Sequence, residues 1–138
     1  MTYVTALAAR PEYSEFMSVL RNSYRDSIAF RPESFNPVLI AAGAHMKAVL
    51  TCLEPGQFIP IHRPGVDMLL IVLEGEGELI AGEQQGAAGP GTVVFVPAGE
   101  ARGVKAASRL VALHVVSPPP TERDHVEVMA RLKQGEWQ

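Results

Sequence analysis

This sequence has a single cysteine, no long apolar run and no excess of positive charge. Cys52 is the only cysteine among 138 residues, so no intramolecular disulfide can form. Lys and Arg together number 12 against 15 Asp and Glu, and the basic residues are scattered, which argues against nucleic-acid binding. The apolar runs are only of strand length, so no membrane span is predicted. We therefore expect neither nucleic acid nor membrane as a partner.

The start of the chain and the single cysteine bear on location and reactivity. Residues 1–10 have neither the leading positive charge nor the sustained apolar run of a signal peptide, so we expect a cytoplasmic protein. No sequence neighbour of Cys52 supplies the positive charge that a reactive thiolate needs. We expect Cys52 to be a small buried hydrophobic residue.

Glycine and proline, by contrast, are plentiful: the chain has 12 Gly and 11 Pro. At this length the whole chain, residues 1–138, is expected to form a single domain. Short apolar or alternating runs between the glycines and prolines predict an all-β barrel or sandwich. The predicted strands are Val38–Ala42, Met46–Leu53, Met68–Leu73, Glu76–Ala81, Thr92–Val96, Ala101–Ala106 and Leu110–Val116.

Two segments outside these runs have helical spacing. Residues 11–28 carry apolar side chains every four positions from Phe16 to Ile28, which predicts an N-terminal amphipathic helix. Residues 121–134 repeat the pattern from Val126 to Leu132 and predict a C-terminal helix. We expect both helices to pack on the outside of the barrel or on a partner subunit.

Three residues in the middle of the chain match a known motif in type and spacing, and two others occupy positions where the motif has different residues. Gly56 is followed after five residues by His62, and Gly75 closes the run after a further strand. In the motif a second histidine and a glutamate lie between them, but here Pro64 and Met68 occupy those positions.

A second run follows the same pattern of match and replacement. Gly91, Pro97 and Gly99 have the expected spacing, whereas Arg102 occupies the position of a histidine. With these two motifs, residues 43–118 resemble the small single-domain cupins. The resemblance implies an RmlC-like β-barrel, a double-stranded β-helix or jelly roll, with short N- and C-terminal α-helices beside it.

The resemblance also implies four metal-ligand positions, of which only His62 is retained. Proline has no side-chain lone pair, a thioether is a weak ligand for all but soft metals, and a guanidinium repels cations. A tightly held transition metal generally needs three or more protein ligands. We therefore expect no metal and no cofactor, and we expect Arg102 to favour an anion in the pocket.

Four residues are candidates for a ligand-binding site: His62, Met68, Arg102 and His114. His62 and His114 are also the candidates for catalysis, as hydrogen-bond donors or general bases. The alternative for His62 is a remnant bonded to a backbone carbonyl, and for His114 a hydrogen-bonded core histidine.

Other polar residues are expected to have structural positions. Arg102 could be neutralised by Asp67 or Glu100, which would make it structural. His45 and Lys47 are expected on a solvated edge of the sheet, and His125 on the surface of the C-terminal helix.

Three functions remain open from the sequence. The first is metal-free binding of a small, partly apolar anion in the barrel. The second is a small-molecule enzyme, an isomerase or epimerase, a lyase or a dioxygenase-like protein, using His62 or His114; a variant uses these two with Met68 and Cys52 as a Cu(I) site. The third is a dimeric scaffold without an active pocket. In each case we expect a homodimer, because cupins commonly pair through their strands.

Overall fold

A computed structural model describes residues 18–119 and 122–138. In these two ranges, nine strands and one α-helix follow a short 3-10 turn at Tyr24–Ser27. The strands are β1 Asn36–Ala42, β2 Lys47–Leu53, β3 Phe58–His62, β4 Asp67–Glu74, β5 Gly77–Ala81, β6 Gln84–Ala88, β7 Val93–Val96, β8 Arg102–Ala106 and β9 Leu110–Ser117. The helix α1 spans Glu122–Gln134.

The strands form two antiparallel sheets with a shared core. The five-stranded sheet has the order β1-β2-β9-β4-β7, and the four-stranded sheet has the order β3-β8-β5-β6. Apolar side chains from both sheets, such as Val72, Leu110 and Val104, meet in one buried cluster. Apart from the paired hairpins β1–β2 and β5–β6, consecutive strands alternate between the two sheets, as in a jelly roll. The all-β barrel expected from the sequence is confirmed.

Two strands were not among those predicted from apolar runs. The first, β3, contains Pro60, which cannot donate a ladder hydrogen bond and therefore interrupts the usual strand pattern. The second, β6, reads Gln-Gln-Gly-Ala-Ala and has no β-branched or aromatic residue. Both are edge strands, and tertiary pairing with β8 and β5 rather than local propensity decides their conformation.

The predicted N-terminal helix is wrong over its described part. Residues 11–17 lie outside the described residues, and residues 18–28 contain only the 3-10 turn at Tyr24–Ser27. Ser23 is extended and its side chain accepts a hydrogen bond from the Arg25 amide. Tyr24 and Ile28 pack on the outer face of the five-stranded sheet, and the Tyr24 hydroxyl donates to Glu74 at 2.9 Å. The apolar residues at four-residue spacing pack on the sheet, and this packing does not need a helical backbone.

The C-terminal helix is confirmed, and α1 packs against β3 on the outside of the barrel. The side chain of His125 lies outside the described part of the chain. In the described residues, α1 is the one α-helix, and it is too short and too polar to cross a bilayer.

Candidate functional site

Two rows of inward-facing side chains cross the five-stranded sheet near one end of the barrel. Strand pairing places Met68 beside Val116 on one side and Val96 on the other, and Val116 pairs in turn with Lys47. The next row is formed by Val49, His114, Leu70 and Val94. Cross-strand partners share a face of the sheet, so Lys47, Met68 and His114 project into the barrel together with the core residues.

His114 lies on this inner face between Ala112 and Val116. Its Nδ1 is 3.2 Å from the hydroxyl oxygen of the buried Thr51. Burial above all, and then the charges of Lys47, His62 and Arg102, lower the pKa of His114 from 6.5 to about 4. The ring is therefore neutral at pH 7, although part of its surface remains accessible. His114 can accept or donate a hydrogen bond, but it is a weak base.

Arg102, the first residue of β8, is only 3% exposed. Its Nη2 donates to the backbone carbonyls of Val66, Val96 and Pro97, at 2.8, 3.4 and 3.0 Å. These carbonyls lie at the ends of the strands that carry the Met68 row. The guanidinium is thus fixed at the same end of the barrel, where the backbone dipoles stabilise its charge.

Asp67, one of the two acidic residues suggested as partners of Arg102, hydrogen-bonds to the backbone. The Asp67 carboxylate is exposed and accepts a hydrogen bond of 2.8 Å from the Ala98 amide. Glu100 is exposed as well. Asp67 stabilises the turn that follows β7.

His62 pairs directly with Arg102 across β3 and β8, so both lie on the inner face of the four-stranded sheet. Its Nδ1 lies 2.8 Å from the carbonyl oxygen of Pro60. A carbonyl only accepts hydrogen bonds, so Nδ1 carries a proton and the lone pair of the neutral ring is on Nε2. The alternative considered from the sequence, a hydrogen bond from His62 to a backbone carbonyl, is therefore present.

The structure brings the four predicted site residues to one end of the barrel. His62 and Arg102 come from one sheet, and Met68 and His114 face them from the other. His62 and Arg102 both lower the pKa of His114, which agrees with this placement. Met68 is 8% exposed and contributes an apolar wall.

Comparison with known proteins agrees with this architecture. The family model described as "Cupin domain" matches residues 49–116. The crystal structure of TT1209 from Thermus thermophilus is 30% identical, covers 71% of this chain and 96% of its own, and superposes with a TM-score of 0.67. The chain is a cupin. No curated protein matches the sequence.

Two further solved structures have the same fold. An RmlC-like cupin protein from Desulfovibrio desulfuricans is 26% identical, with coverage of 74% of this chain and 99% of its own, and has a TM-score of 0.67. KdgF from Halomonas sp. is 19% identical over 74% of this chain and 95% of its own, with a TM-score of 0.63. The latter likeness concerns the fold alone.

The residues of this cupin do not fit the metal site of the family. The four ligand positions hold His62, Pro64, Met68 and Arg102, and the guanidinium hydrogen-bonds to carbonyls inside the barrel. Within residues 18–119 and 122–138, no three His, Cys, Asp or Glu side chains are grouped so that they could hold a metal ion. A cation would also be repelled by Arg102 and Lys47.

The copper variant is contradicted by the position of Cys52. This residue is fully buried on the outer face of the five-stranded sheet, with Leu50 and Val111, away from the inward-facing histidines. Burial raises the pKa of the Cys52 thiol, which keeps it protonated. The expectation of a structural cysteine is confirmed by this packing.

Lys47 is the site residue that sequence reasoning missed. We expected it on a solvated edge, but it faces inward at the mouth of the barrel and is only partly exposed. Its charge is the largest electrostatic influence on the pKa of His114, after burial itself.

A separate depression of about 700 Å³ lies on the outside of the four-stranded sheet. Trp137, Lys105 and Glu78 are among its lining residues, and none of the inward-facing site residues takes part. The four predicted site residues and Lys47 lie instead on the inner face of the barrel, where Arg102 is the one buried charged side chain of the described residues.

Proposed function

We propose that this cupin binds a small, partly apolar anion inside the barrel without a metal ion. The observation that carries the proposal is Arg102, a guanidinium only 3% exposed on the inner face beside His62. The same proposal includes the cytoplasmic location and the absence of nucleic-acid and membrane partners that the sequence predicts.

The charges at this end of the barrel favour an anion. Arg102 is always protonated, and Lys47 adds a second positive group that acts on His114. Removing a charge from water is costly, and an anion of opposite sign compensates this cost better than neutral dipoles do. A carboxylate or phosphate at Arg102 would also accept a hydrogen bond from the ring N–H of a neutral His114, whereas the Nδ1 proton of a neutral His62 is already donated to Pro60.

The apolar part of the ligand would contact the aliphatic residues of the same rows. Met68, Leu70 and Val94 line this part of the inner face. Apolar walls with a few convergent polar groups are typical of small-molecule sites. This combination favours a carboxylate attached to a small hydrocarbon or aromatic group over a sugar phosphate.

Titration with benzoate and with inorganic phosphate, followed by NMR of the labelled protein, tests the proposal. We expect saturable benzoate shifts that include the ring signals of His62 and His114. The Arg102→Met variant should bind benzoate at least ~10-fold more weakly, because a charge-assisted hydrogen bond is lost. Arg102→Lys retains the charge and should bind with intermediate affinity.

The matched control is Arg109→Met, which removes an exposed arginine paired with Glu54 at 2.6 Å far from the barrel interior. It should leave benzoate affinity unchanged. Equal affinities of wild type and Arg102→Met would contradict the role of Arg102. Absence of saturation by either probe at millimolar concentration would contradict anion binding.

The metal-free part of the proposal has its own measurement. Elemental analysis of dialysed protein should show no stoichiometric transition metal. Near-unit occupancy by Fe, Mn, Ni or Zn would overturn this part, because it would require ligands that the Arg102 end of the barrel does not offer.

A second candidate is an enzyme in which His62 is the general base. The bond from Nδ1 to Pro60 puts the basic lone pair of the neutral ring on Nε2, and a pKa of about 4 makes His114 a weak base. A base beside Arg102 could remove a proton next to a carboxylate-bearing carbonyl group. Deuterium exchange at the methyl group of pyruvate should then be accelerated and should be lost in His62→Gln. Exchange at the rate of the buffer alone would remove this candidate.

The expected homodimer is also a proposal, and the outer face of β4 and β7 favours a second copy as the partner. Leu69, Val93 and Phe95 are 40%, 61% and 61% exposed and form adjacent cross-strand pairs with Ile71. An exposed apolar face of this kind suits pairing about a twofold axis, in which the same uncharged residues of both copies meet.

Light scattering should give twice the subunit mass at micromolar concentration. Phe95→Lys should give the monomer, whereas Val126→Lys, which alters an exposed residue of α1, should not. A monomeric wild-type protein would refute the proposed pairing.

A further inference from the structure

We propose that the end of α1 and the residues that follow it position His62, by holding the backbone of β3 from outside the barrel. The inference deepens the proposed function, since it concerns how one wall of the anion site is oriented. We call Arg131–Trp137 the clasp.

The inward direction of His62 depends on an irregularity in β3. Ile59 pairs with Val104 and His62 pairs with Arg102, so three steps along β3 oppose two steps along β8. Ile59 packs against the core cluster on the inner face. Regular alternation from Ile59 would turn His62 outward, and the extra residue of the bulge turns it inward instead.

The clasp satisfies the polar groups of this bulge. The amide of Ile61 donates to the carbonyl of Trp137 at 3.0 Å, and the carbonyl of Ile61 accepts from Arg131 Nη1. Pro60 has no amide proton, and its carbonyl accepts from His62 itself. The backbone of the two bulge residues is thus bonded to the clasp on one side and to the His62 ring on the other.

The conformation of the clasp follows from the way α1 ends. Gly135 has φ of 71°, its amide donates to Leu132, and the next amide donates to Arg131 at 3.2 Å. This pair of bonds is a Schellman motif, which turns the chain back towards β3. Arg131 is also 4.0 Å from Glu136 within the turn.

Trp137 completes the contact on the outer face of both strands. Its ring meets Phe58 of β3 edge to face at 6.5 Å. It also covers Gly103 of β8, where an added Cβ would lie 3.0 Å from the indole. The clasp therefore lies directly behind the paired residues His62 and Arg102, on the other side of the same two strands.

The test measures the His62 ring and the Ile61 amide in labelled protein without any ligand. In wild type, two-bond proton–nitrogen spectra in alkaline buffer should show His62 with its proton on Nδ1 alone. Arg131→Met should give a mixture of tautomers and should speed hydrogen exchange of the Ile61 amide about fivefold, the effect of losing one net hydrogen bond. Arg131→Lys should restore part of both effects.

The controls separate positioning from general destabilisation. Lys133→Met changes a neighbouring exposed residue of α1 and should alter neither measurement. The ring signals of His114, on the opposite sheet, report whether the barrel is intact. If Arg131→Met fails to fold, Gly135→Ala serves in its place, because it strains the turn without meeting any atom within 4 Å.

Unchanged His62 tautomer and Ile61 exchange in the folded Arg131→Met or Gly135→Ala protein would overturn the positioning role. Benzoate affinity of the wild type bears on the proposed function alone, because the tautomer is measured in the absence of benzoate. Failure of one proposal is therefore distinguishable from failure of the other.

Discussion

Replacing His114 with Gln should make the stability of the protein less sensitive to acid. The imidazole is neutral in the folded protein because burial, Lys47, His62 and Arg102 lower its pKa from 6.5 to about 4. In the unfolded chain the same ring has its ordinary pKa. Between these two values the unfolded state binds more protons than the folded state, so the free energy of unfolding falls as the pH falls.

The size of the effect follows from the gap between the two pKa values. Each pH unit within the gap corresponds to about 1.4 kcal/mol, so between pH 7 and pH 4 His114 should remove about 3 kcal/mol of stability. The contribution of His114 is fully retained above pH 6.5 and is lost progressively below it. An ordinary domain has only about 5–15 kcal/mol in total, which makes the loss measurable.

Urea denaturation across this pH range, followed by tryptophan fluorescence and circular dichroism, measures the difference. The decline in wild type should exceed that in His114→Gln by about 3 kcal/mol. His45→Gln, which replaces an exposed histidine, is the control and should follow wild type. An NMR titration that gives His114 a pKa above 6, or parallel curves for wild type and His114→Gln, would refute the reasoning.

Two further predictions concern the neighbouring charge and the turns. Lys47→Met removes a positive charge and should raise the pKa of His114, which an NMR titration of the ring would detect; an unchanged pKa would place Lys47 too far away to matter. Gly75→Ala would put a Cβ 1.8 Å from the carbonyl oxygen of Arg109 at φ of 82°, whereas Gly91→Ala at φ of 90° meets nothing within 4 Å. Urea denaturation should therefore show a loss of ~1 kcal/mol for Gly91→Ala, and a loss larger by at least ~2 kcal/mol for Gly75→Ala; equal losses would contradict the close approach.

The fold was predictable because a few turns impose strict requirements on the sequence. Gly75 and Gly91 both have positive φ, and at Gly75 the backbone of another loop leaves no space for a side chain. Such positions need glycine because other residues are strained at positive φ or lack space for a Cβ. The spacing of these glycines therefore reflects the lengths of the hairpins. The strands between them could then be recognised by their apolar residues.

The orientation of His62 could be predicted only through the family resemblance. The two-residue alternation of a regular strand, counted from Ile59, would place His62 on the outer face. The local sequence does not indicate the extra residue of the bulge. Pro60 is the one signal, because proline within strands is confined to edges and bulges. The bonds that hold the bulge come from Arg131 and Trp137, which lie far away along the chain.

Lys47 shows a different limit, because both faces of its strand are apolar. Val49 and Leu53 point into the barrel, whereas Leu50 and Cys52 are covered on the outer face by the segment that precedes β1. Alternation assigns residues to two faces but cannot decide which face is the interior when each is buried. The pairing of Lys47 with Val116 shows which face is the interior. It places the charge of Lys47 on the inner face at the end of the barrel and not on a solvated edge. The proposed anion site therefore includes a second cation besides Arg102, which the sequence motif alone did not indicate.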